Sequence, residues 1–252
     1  MINLKLNNKT IENIDTVLFD KDGTLIDLHY FWGKMSELRA LEVIKKFKLN
    51  QSHLSEICLI LGYDINSQKM LSDGITALYS RVKIIEIFTK ELEKFSIKTT
   101  EKEIENIFDY VSEIFYKDIL KYTKPINSAI NFVKKLHSKG VKLGIVTSDS
   151  INSTNLTLKQ FNWEELFKVA IGRESHPDTK ESGKPTLLAL QKLNSNSKNA
   201  VMIGDAPMDY ISAKNAGIDC TILVATGQIA KEELEKTSNY CANSLDEIEI
   251  LD

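Results

Sequence analysis

Asp20 and Asp22 lie two residues apart in the segment DKDGTL (20–25), directly after the apolar run TVLF (16–19). If the chain is still extended there, both carboxylates point to the same side. Gly23 permits a sharp turn that brings backbone N–H groups close to a bound anion, with Thr24 next in line. Such a pair needs a cation, or one protonated member, because neighbouring carboxylates repel. A second acidic pair, Asp205 and Asp209, lies in GDAPMD (204–209), directly after the apolar run AVMI (200–203). Four carboxylates from two strand ends make an oxygen-rich set of the kind hard cations such as Mg²⁺ favour. Each loop alone has a plain structural explanation, an Asp/Gly turn in one case and a helix cap in the other. Two of them at matching strand ends point to a site.

Two shorter segments add to this. VTSD (146–149) follows another apolar run, so the Thr147 hydroxyl and nearby backbone amides, including that of Ser148, are placed to bind phosphoryl oxygens. SGKPT (182–186) puts Lys184 just before a helix started by Pro185, where it would offer a point charge to a phosphate. A solvated surface lysine is the common alternative, and only its order among the other motifs raises Lys184 above it.

The elements that must position these residues alternate along the chain. Short apolar runs at 16–19, 141–146, 168–171, 200–203 and 220–224 read as strands of a parallel sheet covered on both faces. Helical periodicity fills 127–138, 152–161, 185–193 and 207–215, with Gly140 and Gly217 placed as helix stops. Strand, helix, strand in repetition implies an α/β, Rossmann-like doubly wound core. Ligands of such sheets bind beyond the carboxyl ends of the strands. Residues 28–122 break the rhythm: the pattern predicts helices near 31–47, 52–61, 75–95 and 101–118 and no strand. That divides the chain into a core of 1–27 and 123–252 and a helical insertion of 28–122. After residue 225 a helix over 228–236 and a short tail are expected.

Composition narrows the function classes. The 252 residues carry 35 acidic and 32 basic side chains, a net charge of −3, so no basic excess advertises a nucleic-acid partner. The longest fully apolar run is about five residues, against roughly 20 for a membrane span. Cys58, Cys220 and Cys241 are odd in number and far apart, the usage of reduced thiols in a cytoplasmic protein. Arg39, Arg81 and Arg173 are the three arginines, so each is a candidate anion clamp.

Asp-x-Asp-Gly-Thr, a strand ending in Thr, Lys-Pro, then Gly-Asp-x-x-x-Asp, in that order, resembles the haloacid dehalogenase superfamily. The likeness is to its phosphatase branch with a helical cap inserted after the first motif, similar to phosphoglycolate phosphatases. The resemblance implies that Asp20 is the nucleophile and forms an aspartyl-phosphate. Asp22 would be the general acid and then the general base. Mg²⁺ would be held by Asp20, the Asp22 backbone carbonyl, Asp205 and Asp209, while Thr147 and Lys184 hold the transferring oxygens. Ser148 stands where many relatives have asparagine, and Ala206 replaces a frequent small hydroxyl residue.

The second aspartate argues against dehalogenation, since a halide leaves without a proton. A two-component receiver would be about half as long, with adjacent acids after its first strand. A P-loop NTPase is excluded because no GxxxxGK[ST] occurs. Within the insertion, His29 and Arg81 are the candidates for substrate contact, each with an ordinary structural alternative: a hinge residue for His29, a surface ion pair for Arg81. The expected activity is Mg²⁺-dependent hydrolysis of a small phosphate ester of the phosphoglycolate or sugar-phosphate type by a cytoplasmic monomer or homodimer. The alternatives are a phosphomutase and a catalytically silent phospho-ligand-binding protein.

Overall fold

A computed structural model describes residues 1–251. Its strands are β1 (Ile2–Leu6), β2 (Lys9–Ile14), β3 (Thr16–Phe19), β4 (Tyr63–Asp64), β5 (Lys69–Met70), β6 (Lys142–Val146), β7 (Val169–Ile171), β8 (Ala200–Gly204), β9 (Cys220–Val224), β10 (Tyr240–Ala242) and β11 (Ile248–Leu251). Its helices are α1 (Leu28–Phe47), α2 (Leu54–Ile60), α3 (Ile75–Leu78), α4 (Arg81–Glu91), α5 (Glu101–Lys117), α6 (Ile119–Tyr122), α7 (Asn127–Ser138), α8 (Ile151–Gln160), α9 (Lys184–Lys192), α10 (Pro207–Asn215) and α11 (Lys231–Leu234). Two compact units result, one of Met1–Asp27 with the chain from Lys124 onward, the other Leu28–Thr123.

The first unit is built on a six-stranded sheet of order β10-β9-β8-β3-β6-β7, parallel throughout. All four residues of β3 are buried, as a central strand covered on both faces requires. Leu18 faces one side, in a buried cluster with Val146, Ile171, Met202, Leu190 of α9 and Ala213 of α10. Alternation sends Val17 and Phe19 to the opposite side, where the Phe19 ring meets Phe167 edge-on at 6.0 Å. Both neighbours of β3 come later in the chain, so strand order reverses at β3. The crevice of a doubly wound sheet opens at such a switch point.

Three departures from the sequence expectations are visible here. Residues 2–14 form an antiparallel hairpin, and β11 pairs with β1 to complete a second, three-stranded sheet. The expected helix over 228–236 shrinks to Lys231–Leu234, and the tail beyond it supplies β10 and β11. The expected 75–95 helix is broken before Arg81, where Ser80 is extended (ψ 155°), and ends in a 3₁₀ turn at Leu92–Phe95.

The second unit is mostly helical. α1 packs against α2 and α5, and α4 against α5. α5 opens on a capping box between Thr100 and Glu103 and buries Ile104, Ile107, Phe108, Val111 and Phe115 along one stripe. Contrary to expectation it contains strands: β4 and β5 form a short antiparallel hairpin with Tyr63 opposite Met70. Its turn is set by Asp64, whose carboxylate accepts the Asn66 N–H at 2.9 Å and the Ser67 hydroxyl at 2.7 Å.

Arg39 is buried in this unit with its guanidinium carbon 4.0 Å from the Phe108 ring centroid. Its Nε has no hydrogen-bond partner, and no carboxylate pairs with it among the described residues. Burial, with Arg81 adding like charge, lowers its pKa to about 9, so it stays charged at neutral pH. An apolar replacement of similar length removes that desolvation cost and forfeits only the ring contact. Arg39→Met is therefore expected to stabilise the protein by about 1 kcal/mol in urea unfolding. A clear loss of stability would show that Phe108 and the surrounding dipoles fully compensate the charge.

Cys58, Cys220 and Cys241 are free thiols. No helix among the described residues is long and apolar enough to cross a membrane.

Candidate active site

Asp20, Thr147 and Asp205 follow directly on β3, β6 and β8, three adjacent strands, so their side chains gather at one edge of the sheet. The Asp20 N–H donates to the Ile203 carbonyl at 2.8 Å, locking the ends of β3 and β8 together. Beyond Asp20 the backbone wraps round the Lys21 carbonyl, which accepts the N–H groups of Thr24, Leu25 and Ile26 at 2.9–3.4 Å. Gly23 has φ +89°, left-handed backbone that favours glycine, and a Cβ there would lie 2.3 Å from Asp205 Oδ2. A Cβ on Gly227 would lie 1.8 Å from the same oxygen. Asp205 is thus packed between two backbones that must lack side chains.

Carboxylate oxygens of Asp20, Asp205 and Asp209 all lie within 4.8 Å of one another, and all three residues are buried. Thr24 is buried with them, and its hydroxyl donates to Asp205 Oδ1 at 3.4 Å. Asp209, in the first turn of α10, also accepts the Ala206 N–H at 3.1 Å, so the cap role and the cluster role coexist. Thr147 is buried, and its hydroxyl oxygen accepts the Asp149 N–H at 3.1 Å, which leaves the hydroxyl proton available for another acceptor. Ser148 is exposed, with its hydroxyl 3.4 Å from Met208 sulfur.

The lysine expectation needs correction. Lys184 is 61% exposed and pairs with Asp178 instead of reaching the cluster. The buried cation is Lys180, whose Nζ lies 2.6 Å from Asp20 Oδ1 and 2.6 Å from Asp209 Oδ1. Lys180 begins a 3₁₀ turn (Lys180–Ser182) held to α10 by the Asn215 amide, which donates to the Glu181 carbonyl at 2.7 Å. Gly183, at φ +78°, then reverses the chain into α9 and turns Lys184 toward solvent. A second buried lysine, Lys21, also lay outside the sequence reading. It pairs with Asp22 at 2.5 Å and with Asp149 at 3.0 Å.

His29 and Arg81 belong to the second unit and have partners inside it. His29 Nδ1 accepts the Met70 N–H at 3.1 Å, while Arg81 donates to Asp109 at 2.5 Å and Ser112 at 3.5 Å.

The electrostatics follow from burial and crowding. Burial, then the charges of Asp20 and Asp209, hold Asp205 well above the usual carboxylate range. Burial raises Asp209 to about 6, with Lys180 opposing it, and raises Asp22 to about 6, with Lys21 opposing it. Burial alone would lower Lys180, but Asp20 and Asp209 outweigh it and hold the ammonium above the ordinary lysine value. For Asp149 burial is likewise outweighed, chiefly by Lys21, and its pKa falls.

A carboxyl group with a raised folded-state pKa binds more protons folded than unfolded between about pH 4 and 6, so stability falls as pH rises through that window. Asp149, with a lowered pKa, contributes stability that is lost as pH falls. Three raised groups against one lowered make the first effect the larger. In EDTA the Tm should therefore drop between about pH 5 and 7, and added Mg²⁺ should raise it more at the higher pH. Differential scanning fluorimetry at both pH values measures this. A chelated protein equally stable at both would show that these aspartates do not share a strained, repulsive site.

The family profile described as haloacid dehalogenase-like hydrolase matches residues 17–223. The chain belongs to that family, and its α/β core is the family's fold. A phosphoglycolate phosphatase of Psychrobacter arcticus is 30% identical over 203 residues, which is 81% of this chain and 80% of the relative. A putative pyrophosphatase PpaX of Caldanaerobacter subterraneus is 29% identical over 206 residues, 81% of this chain and 79% of the relative. Among solved structures, a predicted phosphoglycolate phosphatase from Haemophilus somnus superposes with a TM-score of 0.70 at 16% identity. That match covers 93% of this chain and 96% of the other.

Proposed function

We propose that this hydrolase is a divalent-cation-dependent phosphatase that cleaves a small phosphorylated metabolite through an aspartyl-phosphate. The reading is carried by the convergence of Asp20, Asp205 and Asp209 within 4.8 Å, with Lys180 bridging two of them. A nucleophilic carboxylate lies beside an oxygen-only donor set and a buried cation, the equipment that phosphoryl transfer requires.

The donor set suits Mg²⁺. Its ligands are hard oxygens, and Asp205, raised first by burial and then by the charges of Asp20 and Asp209, is a group whose ionised form a divalent ion would favour. Asp20, Asp205 and Asp209, with the Asp22 backbone carbonyl, are the residues that would hold it. When bound, such an ion reduces the repulsion between an anionic nucleophile and an anionic phosphate.

In the first step an Asp20 carboxylate oxygen forms a bond to phosphorus. The ester P–O bond breaks, and Asp22 gives its proton to the departing alkoxide. In the second, Asp22 takes a proton from water, the water oxygen bonds to phosphorus, and the Asp20–phosphorus bond breaks. Thr147 and Lys180 bind the transferring oxygens and stabilise the charge that builds on them. Substrate choice is assigned to residues 28–123, which take the part of a cap and carry His29 and Arg81.

Phosphate release from a broad panel of phosphorylated metabolites tests the reading. Turnover is expected for at least one small ester, lost in EDTA and restored by Mg²⁺. Turnover indifferent to chelation, or none across the panel, would defeat it. A sugar phosphate that isomerises without releasing phosphate would mark a mutase instead.

A further inference from the structure

Lys21 separates the two aspartates of the DKDG segment, and the steps above give it no part. Its side chain is 1% exposed, among the most deeply buried in the protein. A buried ammonium is costly unless paired, and an apolar residue could fill such a position more cheaply. On a continuing strand Lys21 would point away from both Asp20 and Asp22. Because β3 ends at Phe19 and the backbone wraps round the Lys21 carbonyl, Lys21 and Asp22 lie side by side instead, 2.5 Å from Nζ to Oδ1.

Asp149, a second partner of Lys21, is firmly anchored. Asp149 Oδ2 lies 3.0 Å from Nζ, Asp149 Oδ1 accepts the Ser150 N–H at 2.7 Å, and the Asp149 N–H donates to Thr147 Oγ1 at 3.1 Å. Lys21 thereby ties the Asp22 carboxylate to the loop that carries Thr147. A carboxylate without such a tie samples several rotamers, and proton transfer is efficient only within hydrogen-bond reach of the reacting oxygen.

We propose that Lys21, held in place by Asp149, is a positioning residue that orients the Asp22 carboxyl group, so that the proton it carries passes to the leaving oxygen. This rests on the phosphatase reading, and it distinguishes substrates by their need for an acid. An alkyl phosphate needs its alkoxide protonated, whereas the p-nitrophenolate of p-nitrophenyl phosphate leaves without help.

The test compares kcat/KM for these two esters, since that ratio reports the steps up to loss of the leaving group. Lys21→Met should lose about 100-fold on the alkyl ester and only a few-fold on the aryl ester, the range that general acid catalysis supplies. Lys21→Arg should recover part of the alkyl activity. Should Lys21→Met fail to fold by circular dichroism, the isosteric Asp149→Asn carries the same comparison and should show the same selectivity. Equal losses on both esters, or no loss on the alkyl one, overturn the inference while leaving the phosphatase reading intact. A wild-type protein inactive on every ester overturns both.

Discussion

Asp20→Asn should lower phosphate release by at least about 10⁴-fold, the scale on which loss of a nucleophile is felt in covalent catalysis. The amide keeps the shape and burial of the side chain but carries no nucleophilic carboxylate oxygen. The same substitution takes one negative charge from a cluster whose members lie within 4.8 Å of one another. In EDTA the variant should therefore melt no lower than the wild type, because relief of repulsion on Asp205 and Asp209 offsets the weakened contact with Lys180. Added Mg²⁺ should stabilise it less than it stabilises the wild type, since one ligand has lost its charge. Phosphate release and a pair of melting curves separate these effects. Near-normal turnover would place the nucleophile elsewhere, and a steep loss of stability would mean that Asp20 acts mainly as a structural partner of Lys180.

The parallel sheet and the acidic edge were legible because both are written locally. TVLF, KLGIV and AVMIG are apolar on both faces of the pleat, and each is followed at once by its chemical residue. The amino-terminal hairpin carried a signal as well: Ile2, Leu4 and Leu6 alternate with polar residues, and Asn7 turns the chain at φ +55°. β4 and β5 are two residues each, too short for any period to show, and depend on an Asp64 turn that sequence reads only as polar. β10 and β11 were hidden as well. They are edge additions: β11 pairs with β1 at the other end of the chain, and β10 is three residues laid beside β9, too short to show a period. Lys21 was hidden by the strand rule itself, which sends alternate side chains to opposite faces and fails one residue after the strand ends.

Lys180→Met should be severely damaging, though less so than loss of the nucleophile, while Lys184→Ala should leave turnover within about twofold, as surface changes usually do. Four residues apart, the two lysines differ in every physical respect that matters. Lys180 is buried in contact with Asp20 and Asp209, whereas Lys184 is mostly exposed beside a half-buried Asp178. Removing one partner of a buried ion network leaves the remaining charges uncompensated, which typically costs about 3–5 kcal/mol. Here the uncompensated groups are three aspartates, so the loss should be largest in EDTA near neutral pH and partly recovered by Mg²⁺. Turnover should fall by about 10²–10³-fold even with Mg²⁺ present, the effect of deleting one preorganised donor from developing negative charge. Lys180→Arg should not restore it, because a planar guanidinium fork cannot reproduce the compact ammonium that lies 2.6 Å from both Asp20 and Asp209. Steady-state kinetics and urea unfolding on the three variants measure all of this together. If Lys184→Ala were the inactive one, the cation beside Asp20 would have to come from the first turn of α9.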